Sequence, residues 1–136
     1  MNSSANITGN LTRDPELKFL DSGMAVARFT VAVSEKRKDR NGVETEQTSF
    51  FDCDAMGTIA QNVADSLRKG DRVVVTGNFK QRSWDDKDGN KRSVIELKVE
   101  SVGPDLRFAT ATVSRNSGNS MAAPRPSAPI YDEEPF

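Results

Sequence analysis

Phe50 and Trp84 are the two residues hardest to assign to a core. In Ser49-Phe50-Phe51 two rings are adjacent. Side chains alternate along a strand, so Phe51 serves the inside and Phe50 projects outward. Trp84 shares a strand face with Lys80 and Arg82, and Arg28 stands on the polar face of another alternating run. An exposed ring beside cations suits one chemistry well. Unpaired nucleobases stack on the ring at about 1–3 kcal/mol each, while Lys and Arg track the phosphates. Every base has a π-face, so such a surface tolerates any sequence. Trp84 has a second reading, a ring folded over its own hairpin, and Phe50 another, burial between subunits. Both alternatives stay open on the residues alone.

Other charged groups divide the same way. Lys36, Arg37, Lys38 and Arg40 crowd one short run before the Asn41-Gly42 turn. They form either a basic finger over a phosphate backbone or a solvated hairpin tip. Arg68 and Lys69 close a predicted helix, where the helix dipole alone explains cations. Asp52 and Asp54 share the face of Phe50, and a carboxylate pair could serve a metal or a hydrolysis. Without histidine or further acids at ligand spacing, the pattern is a weak case for either. The chain has no histidine and one cysteine, Cys53. That removes Ser-His and Cys-His nucleophile pairs, histidine acid–base work and internal disulfides. Cys53 falls on a core face and reads as a small buried hydrophobe. We expect a binding protein and not an enzyme, with no cofactor and no metal.

These residues sit on period-2 runs. Ala27, Phe29, Val31 and Val33 suit a core, as do Phe51, Cys53 and Ala55, then Val73, Val75, Gly77 and Phe79, then Ile95, Leu97 and Val99. Turn signals at Asp14-Pro15, Asp21-Ser22-Gly23, Asn41-Gly42, Gly70-Asp71 and Asp88-Gly89-Asn90 separate the runs. Residues 58–69 break the alternation. Ile59, Val63 and Leu67 recur every four residues, Thr58 with Gln61 has the form of a capping box, and Gly70 suits a helix stop. Three strands, a helix and two more strands predict an all-β fold, a five-stranded Greek-key barrel of the OB type with the helix plugging one end.

Composition shifts near Arg115. Up to that residue 18 basic side chains face 17 acidic ones, and beyond it one arginine faces three acids. With a net charge of −1 the chain has no global positive field, so any grip on an anion must be local. The sequence divides into a body over 1–115, a flexible Ser/Ala/Pro/Asn linker over 116–130 and an acidic tip over 131–136. The tip ends Asp132-Glu133-Glu134-Pro135-Phe136. A ring and a free carboxylate on one residue, behind a stiffening proline, suit capture by a partner with a basic-rimmed apolar pocket. A frayed acidic end is the plainer alternative. No apolar run approaches the roughly 20 residues of a membrane span, and no signal peptide is visible. These features predict a cytoplasmic protein with no membrane contact.

Several segments, in their order, carry a resemblance. Thr8-Gly9-Asn10-Leu11, Asp14-Pro15-Glu16, Thr48-Ser49-Phe50, Met56-Gly57, Leu67-Arg68-Lys69-Gly70, Val75-Thr76-Gly77 and Arg82-Ser83-Trp84, with the terminal Asp-Glu-Glu-Pro-Phe, resemble the bacterial single-stranded DNA-binding proteins. The likeness covers about residues 5–113 and the last five. It implies an OB fold, a homotetramer and sequence-independent wrapping of single-stranded DNA at the nucleoid and replication forks. It also implies a tail that recruits replication, recombination and repair enzymes. Phe50 and Trp84 match stacking positions, Met56 falls where a stacking Phe is common, and Lys36 where some members stack a Trp. Arg68, Lys69, Lys80 and Arg82 match basic positions near the strand path. Residues 103–113 look like the high-G+C Gram-positive branch, in which an extra C-terminal strand clamps one dimer to another. Asp52 stands where an Arg is frequent, which puts an acid on the proposed DNA face, and Asp54 adds to its repulsion.

Overall fold

A computed structural model of the protein describes residues 3–116. The expected linker, from residue 117 onward, and the acidic tip lie outside the described residues. The elements are β1 (Ser4–Leu11), β2 (Glu16–Phe19), β3 (Ala25–Lys38), β4 (Glu44–Met56), α1 (Thr58–Ser66), β5 (Arg72–Asp85) and β6 (Lys91–Pro104). The sheet order is β1-β5-β6-β4-β3-β2, and β1 also pairs with β3. That second pairing, Asn10↔Ala32 and Leu11↔Val31, closes five strands into a barrel. The five-stranded expectation therefore holds for the barrel. Four strands rather than three precede the helix, because β2 adds a short sixth strand along the start of β3.

The interior is built from the alternating faces. Ala27, Phe29 and Val31 of β3, Cys53 and Ala55 of β4, Val73 and Val75 of β5 and Leu97 of β6 are buried together. Phe51 turns inward toward Phe79, ring centroids 6.3 Å apart, which leaves Phe50 outside. Ile95 departs from the expected core face and is exposed. Its partner in register is Gln81, where the β5–β6 hairpin has already left the barrel. Helix α1 contributes Ala60 and Val63, with Leu67 just beyond it. Burial and the neighbouring charges of Asp52 and Asp54 push the Cys53 thiol up to about 12, so it packs as an inert apolar group.

Two glycines permit the closure. A Cβ on Gly9 would meet the carbonyl oxygen of Ala32 where β1 crosses β3. A Cβ on Gly77 would meet the carbonyl oxygen of Lys98, at the bulge where β5 bends between its β1 and β6 partners.

Both ends of α1 differ from expectation. The N-cap is Gly57, with φ 85 and no side-chain cap, so Thr58 is already helical and makes no capping box with Gln61. The helix stops at Ser66, short of Gly70. The amide of Arg68 donates to Asp71 Oδ2 and that of Lys69 to Asp14 Oδ1, both at 2.8 Å, which pulls the chain out of helical geometry. Within the single chain, the segment expected to clamp one dimer to another carries no strand of its own. Strand β6 runs to Pro104, and none of residues 105–116 is in a strand. A strand needs an edge to pair with, and here the segment pairs with none within the single chain.

Candidate nucleic-acid interface

The outward face of β3 carries Arg28, Thr30 and Ala32, opposite Asp54, Asp52 and Phe50 of β4 in register. The β5–β6 hairpin adds Arg82 and Trp84. These strands frame a groove of about 210 Å³ lined by Arg13, Arg28, Thr30, Asp52, Asp54, Arg82, Trp84, Val94 and Glu96. Trp84 is 42% exposed and Phe50 65%, so neither ring is sealed into the core of this chain. Phe50 lies on the same β4 face as Asp52, outside the groove lining, and Met56 continues that face toward α1 at 49% exposed. The expected hairpin packing of Trp84 is partly real, since Arg82 covers one of its faces. The guanidinium carbon lies 4.7 Å from the ring centroid.

Arg82 is itself held. Its Nε and Nη2 donate to the two carboxylate oxygens of Glu96, each at 3.3 Å. Those hydrogen bonds raise the Arg82 pKa and hold the Glu96 carboxyl below the ordinary carboxylate range, against the opposing effect of burial. A depressed carboxyl stabilises the fold above its unfolded pKa and loses that contribution as pH falls through the folded value. Glu96→Gln should therefore lower the melting temperature by about 4 °C at neutral pH. The gap should close under acid conditions, where Glu96 is protonated in both states. Parallel thermal melts at neutral and acid pH test this, and a gap independent of pH would contradict it.

The acids on this face act differently from expectation. Asp54 is 4% exposed, with Oδ1 3.3 Å from Arg28 Nε and Oδ2 2.7 Å from Lys98 Nζ. It is a buried counter-ion, not a source of repulsion toward a strand. Asp52 is exposed and accepts a hydrogen bond from the Thr30 hydroxyl at 2.9 Å. With Asp54 consumed by two cations, the pair is not poised for hydrolysis. Among the described residues no group of three or more cysteines and carboxylates could hold a metal.

The remaining cations are spread more widely. Lys36, Arg37 and Lys38 rise on the projecting β3–β4 hairpin, with Arg40 in its turn. In register, Lys36 faces Glu46 and Lys38 faces Glu44, so the finger is less positive than its own run implies. Its tip is fixed by Asp39 Oδ1, which accepts the amides of Asn41 and Val43. Asp86 closes the β5–β6 tip in the same way through Asp88 and Asn90, and also binds Arg92 Nε at 2.9 Å. Those bonds, the Asn90 amide foremost, hold the Asp86 carboxyl low. Lys80 is exposed one alternation from Arg82. Arg68 does not join the groove. Its Nη1 donates to the carbonyls of Ala64 and Leu67, the structural role open to a cation at a helix end. Lys69 adjoins it in the turn after α1.

Sequence reasoning missed Arg13, Lys98 and Glu96. Glu96 and Lys98 alternate with the apolar residues of β6, so the polar face was legible but carried no sign of its partners. Arg13 precedes a turn, and only the fold returns it to the groove.

The chain matches the single-strand binding protein family over residues 2–105. It is 46% identical over 117 residues to the single-stranded DNA-binding protein of Mycolicibacterium smegmatis, covering 85% of this chain and 71% of that one. It is 45% identical over 142 residues to the Mycobacterium tuberculosis protein of the same name, covering 98% and 87%. Among solved structures, the small single-stranded DNA-binding protein from Streptomyces coelicolor is similar with a TM-score of 0.64 and 29% identity, over 78% of this chain and 96% of that one. A closed barrel with an outward aromatic groove, and relatives alike over most of their length, lead to one assignment: the chain belongs to the single-strand binding protein family.

Proposed function

We propose that the protein is a non-enzymatic binder of single-stranded DNA that stacks bases on Trp84 and Phe50, with Met56 extending the apolar path. The observation that carries this is the half-exposed indole of Trp84, backed by Arg82 and opening into a groove with Arg13 and Arg28. Phosphates pass along Arg28, Arg82 and Lys80, with the finger of Lys36, Arg37, Lys38 and Arg40 closing over them. Lys69 extends the path at the end of α1. The protein assembles as a homotetramer, which repeats this local track around a body of nearly zero net charge.

Trp84 is the only tryptophan, so intrinsic indole fluorescence reports this site alone. Poly-dT should quench it while duplex DNA leaves it nearly unchanged. Affinity should also fall with salt, log against log, by about 0.7 per phosphate neutralised. Equal responses to the two nucleic acids would remove stacking.

The terminal Asp132-Glu133-Glu134-Pro135-Phe136 recruits replication, recombination and repair enzymes in this reading. Its support is the sequence itself, an acidic stretch ending in an aromatic carboxylate. Deleting Pro135 and Phe136 should abolish capture of such enzymes and leave oligo-dT affinity within about twofold. Pull-downs unchanged by the deletion would argue against the tip.

A further inference from the structure

Three carboxylates line the groove beside Trp84, and two of them are neutralised. Asp54 is held between Arg28 and Lys98, and Glu96 binds Arg82 through both oxygens. Asp52 differs. It is exposed and enters no ion pair among the described residues. Its one side-chain hydrogen bond comes from the neutral Thr30 hydroxyl, to Oδ1. An ionised carboxylate offers about four lone-pair sites, so most of its accepting capacity faces the groove unused. Its placement is also fixed, because Thr30 and Asp52 are directly opposite in the β3–β4 ladder.

A strand stacked on Trp84 brings two kinds of group to such an acceptor. A phosphate against Asp52 itself would set two anions together. Of the arginines lining the groove, Arg28 and Arg82 already serve Asp54 and Glu96, which leaves Arg13 alone without an ion pair among the described residues. A base edge with a donor fits instead. Cytosine presents its N4 amine, adenine its N6 amine and guanine its N2 amine. Thymine has no exocyclic amine, and its ring N–H lies between two carbonyl oxygens that a carboxylate repels.

We infer that Asp52 is a specificity residue, accepting a hydrogen bond from the exocyclic amine of a base stacked in the Trp84 groove and so biasing the site against thymine. This role rests on the single-stranded DNA reading proposed above and adds a base preference to it.

Equilibrium binding of oligo-dC and oligo-dT of equal length, by the full chain at neutral pH where cytosine is uncharged, tests it. The wild type should bind oligo-dC about fivefold more tightly, the worth of one partly solvated hydrogen bond to a charge. Asp52→Ala should bind the two alike. Equal gains on both oligomers in the variant would make Asp52 a phosphate repellent only and overturn the assignment. A second measurement needs no variant: an oligomer of N4,N4-dimethylcytosine lacks the donor, and the wild type should bind it no more tightly than oligo-dT. Retained preference for the methylated oligomer overturns the role of Asp52. Tight but equal binding of oligo-dC and oligo-dT does the same, whereas failure to bind either overturns the underlying function.

Discussion

Replacing Trp84 with alanine is expected to weaken oligo-dT binding by about 1–3 kcal/mol, roughly 5- to 150-fold, the value of one stacked base. The effect is large because the indole is presented, not merely exposed. Arg82 covers one face from 4.7 Å, and Glu96 fixes Arg82 with two hydrogen bonds. The other face needs little ordering to receive a base, so less of the stacking energy is lost to immobilising the side chain. Phe50→Ala should add a comparable loss, because that ring lies outside the groove and meets a different part of the strand. Neither substitution removes buried surface from the core, so both variants should melt close to the wild type. Titration of oligo-dT by anisotropy, beside thermal melts, separates the two effects. Unchanged affinity in the double variant would sink the stacking surface.

Gly77→Ala acts on the frame that carries that surface. The added methyl would land on the carbonyl oxygen and carbon of Lys98, and backbone atoms cannot rotate away as a side chain could. Relief requires β5 and β6 to part at the bulge, so we expect a loss of about 3 kcal/mol, at the upper end of overpacking. For a body of this size that is about 12 °C in melting temperature. Gly103→Ala is the matched control, since a Cβ there meets nothing within 4 Å. It should stay within about 0.5 kcal/mol of the wild type. A Gly77→Ala protein that melts with the control would mean the strands have slack that the geometry denies.

The legible parts of the fold were those where burial imposes a period. Ala27, Phe29 and Val31, Cys53 and Ala55, and Val73 and Val75 are buried as their alternation predicts. Strand β2 was invisible for the same reason. Glu16, Leu17, Lys18 and Phe19 are all exposed, so no buried face stamps a pattern on them, and only pairing with residues 25–28 makes them a strand. The early end of α1 depends on Asp14, far off in sequence, capturing the amide of Lys69. Such capture leaves no local mark. At the site, the rings of Phe50 and Trp84 could be found because aromatics on a wet face need a reason. The role of Asp54 could not. A carboxylate on the outward face of a strand reads as exposed until Arg28 and Lys98 are brought to it from β3 and β6. The finger shows the opposite failure. Its cations were plain in one run, while Glu44 and Glu46 became their counterparts only once the register was known.

The β1–β5 ladder has a consequence in time. Ser4 pairs with Asn78 and Asn10 with Arg72, so β1 has no β5 to bind until the chain has been made as far as Arg72 and beyond. The β3–β4 and β5–β6 ladders join neighbours across short turns and can zip early, whereas the β1–β5 ladder must wait for a long loop to close. A nascent chain therefore carries most of β1 unpaired, only its end able to meet β3, until β5 is made. The Trp84 ribbon meets the wall it leans over through the short parallel β4–β6 pairing, Cys53↔Leu97 and Asp54↔Lys98, so the two become one surface only once β6 has followed as well.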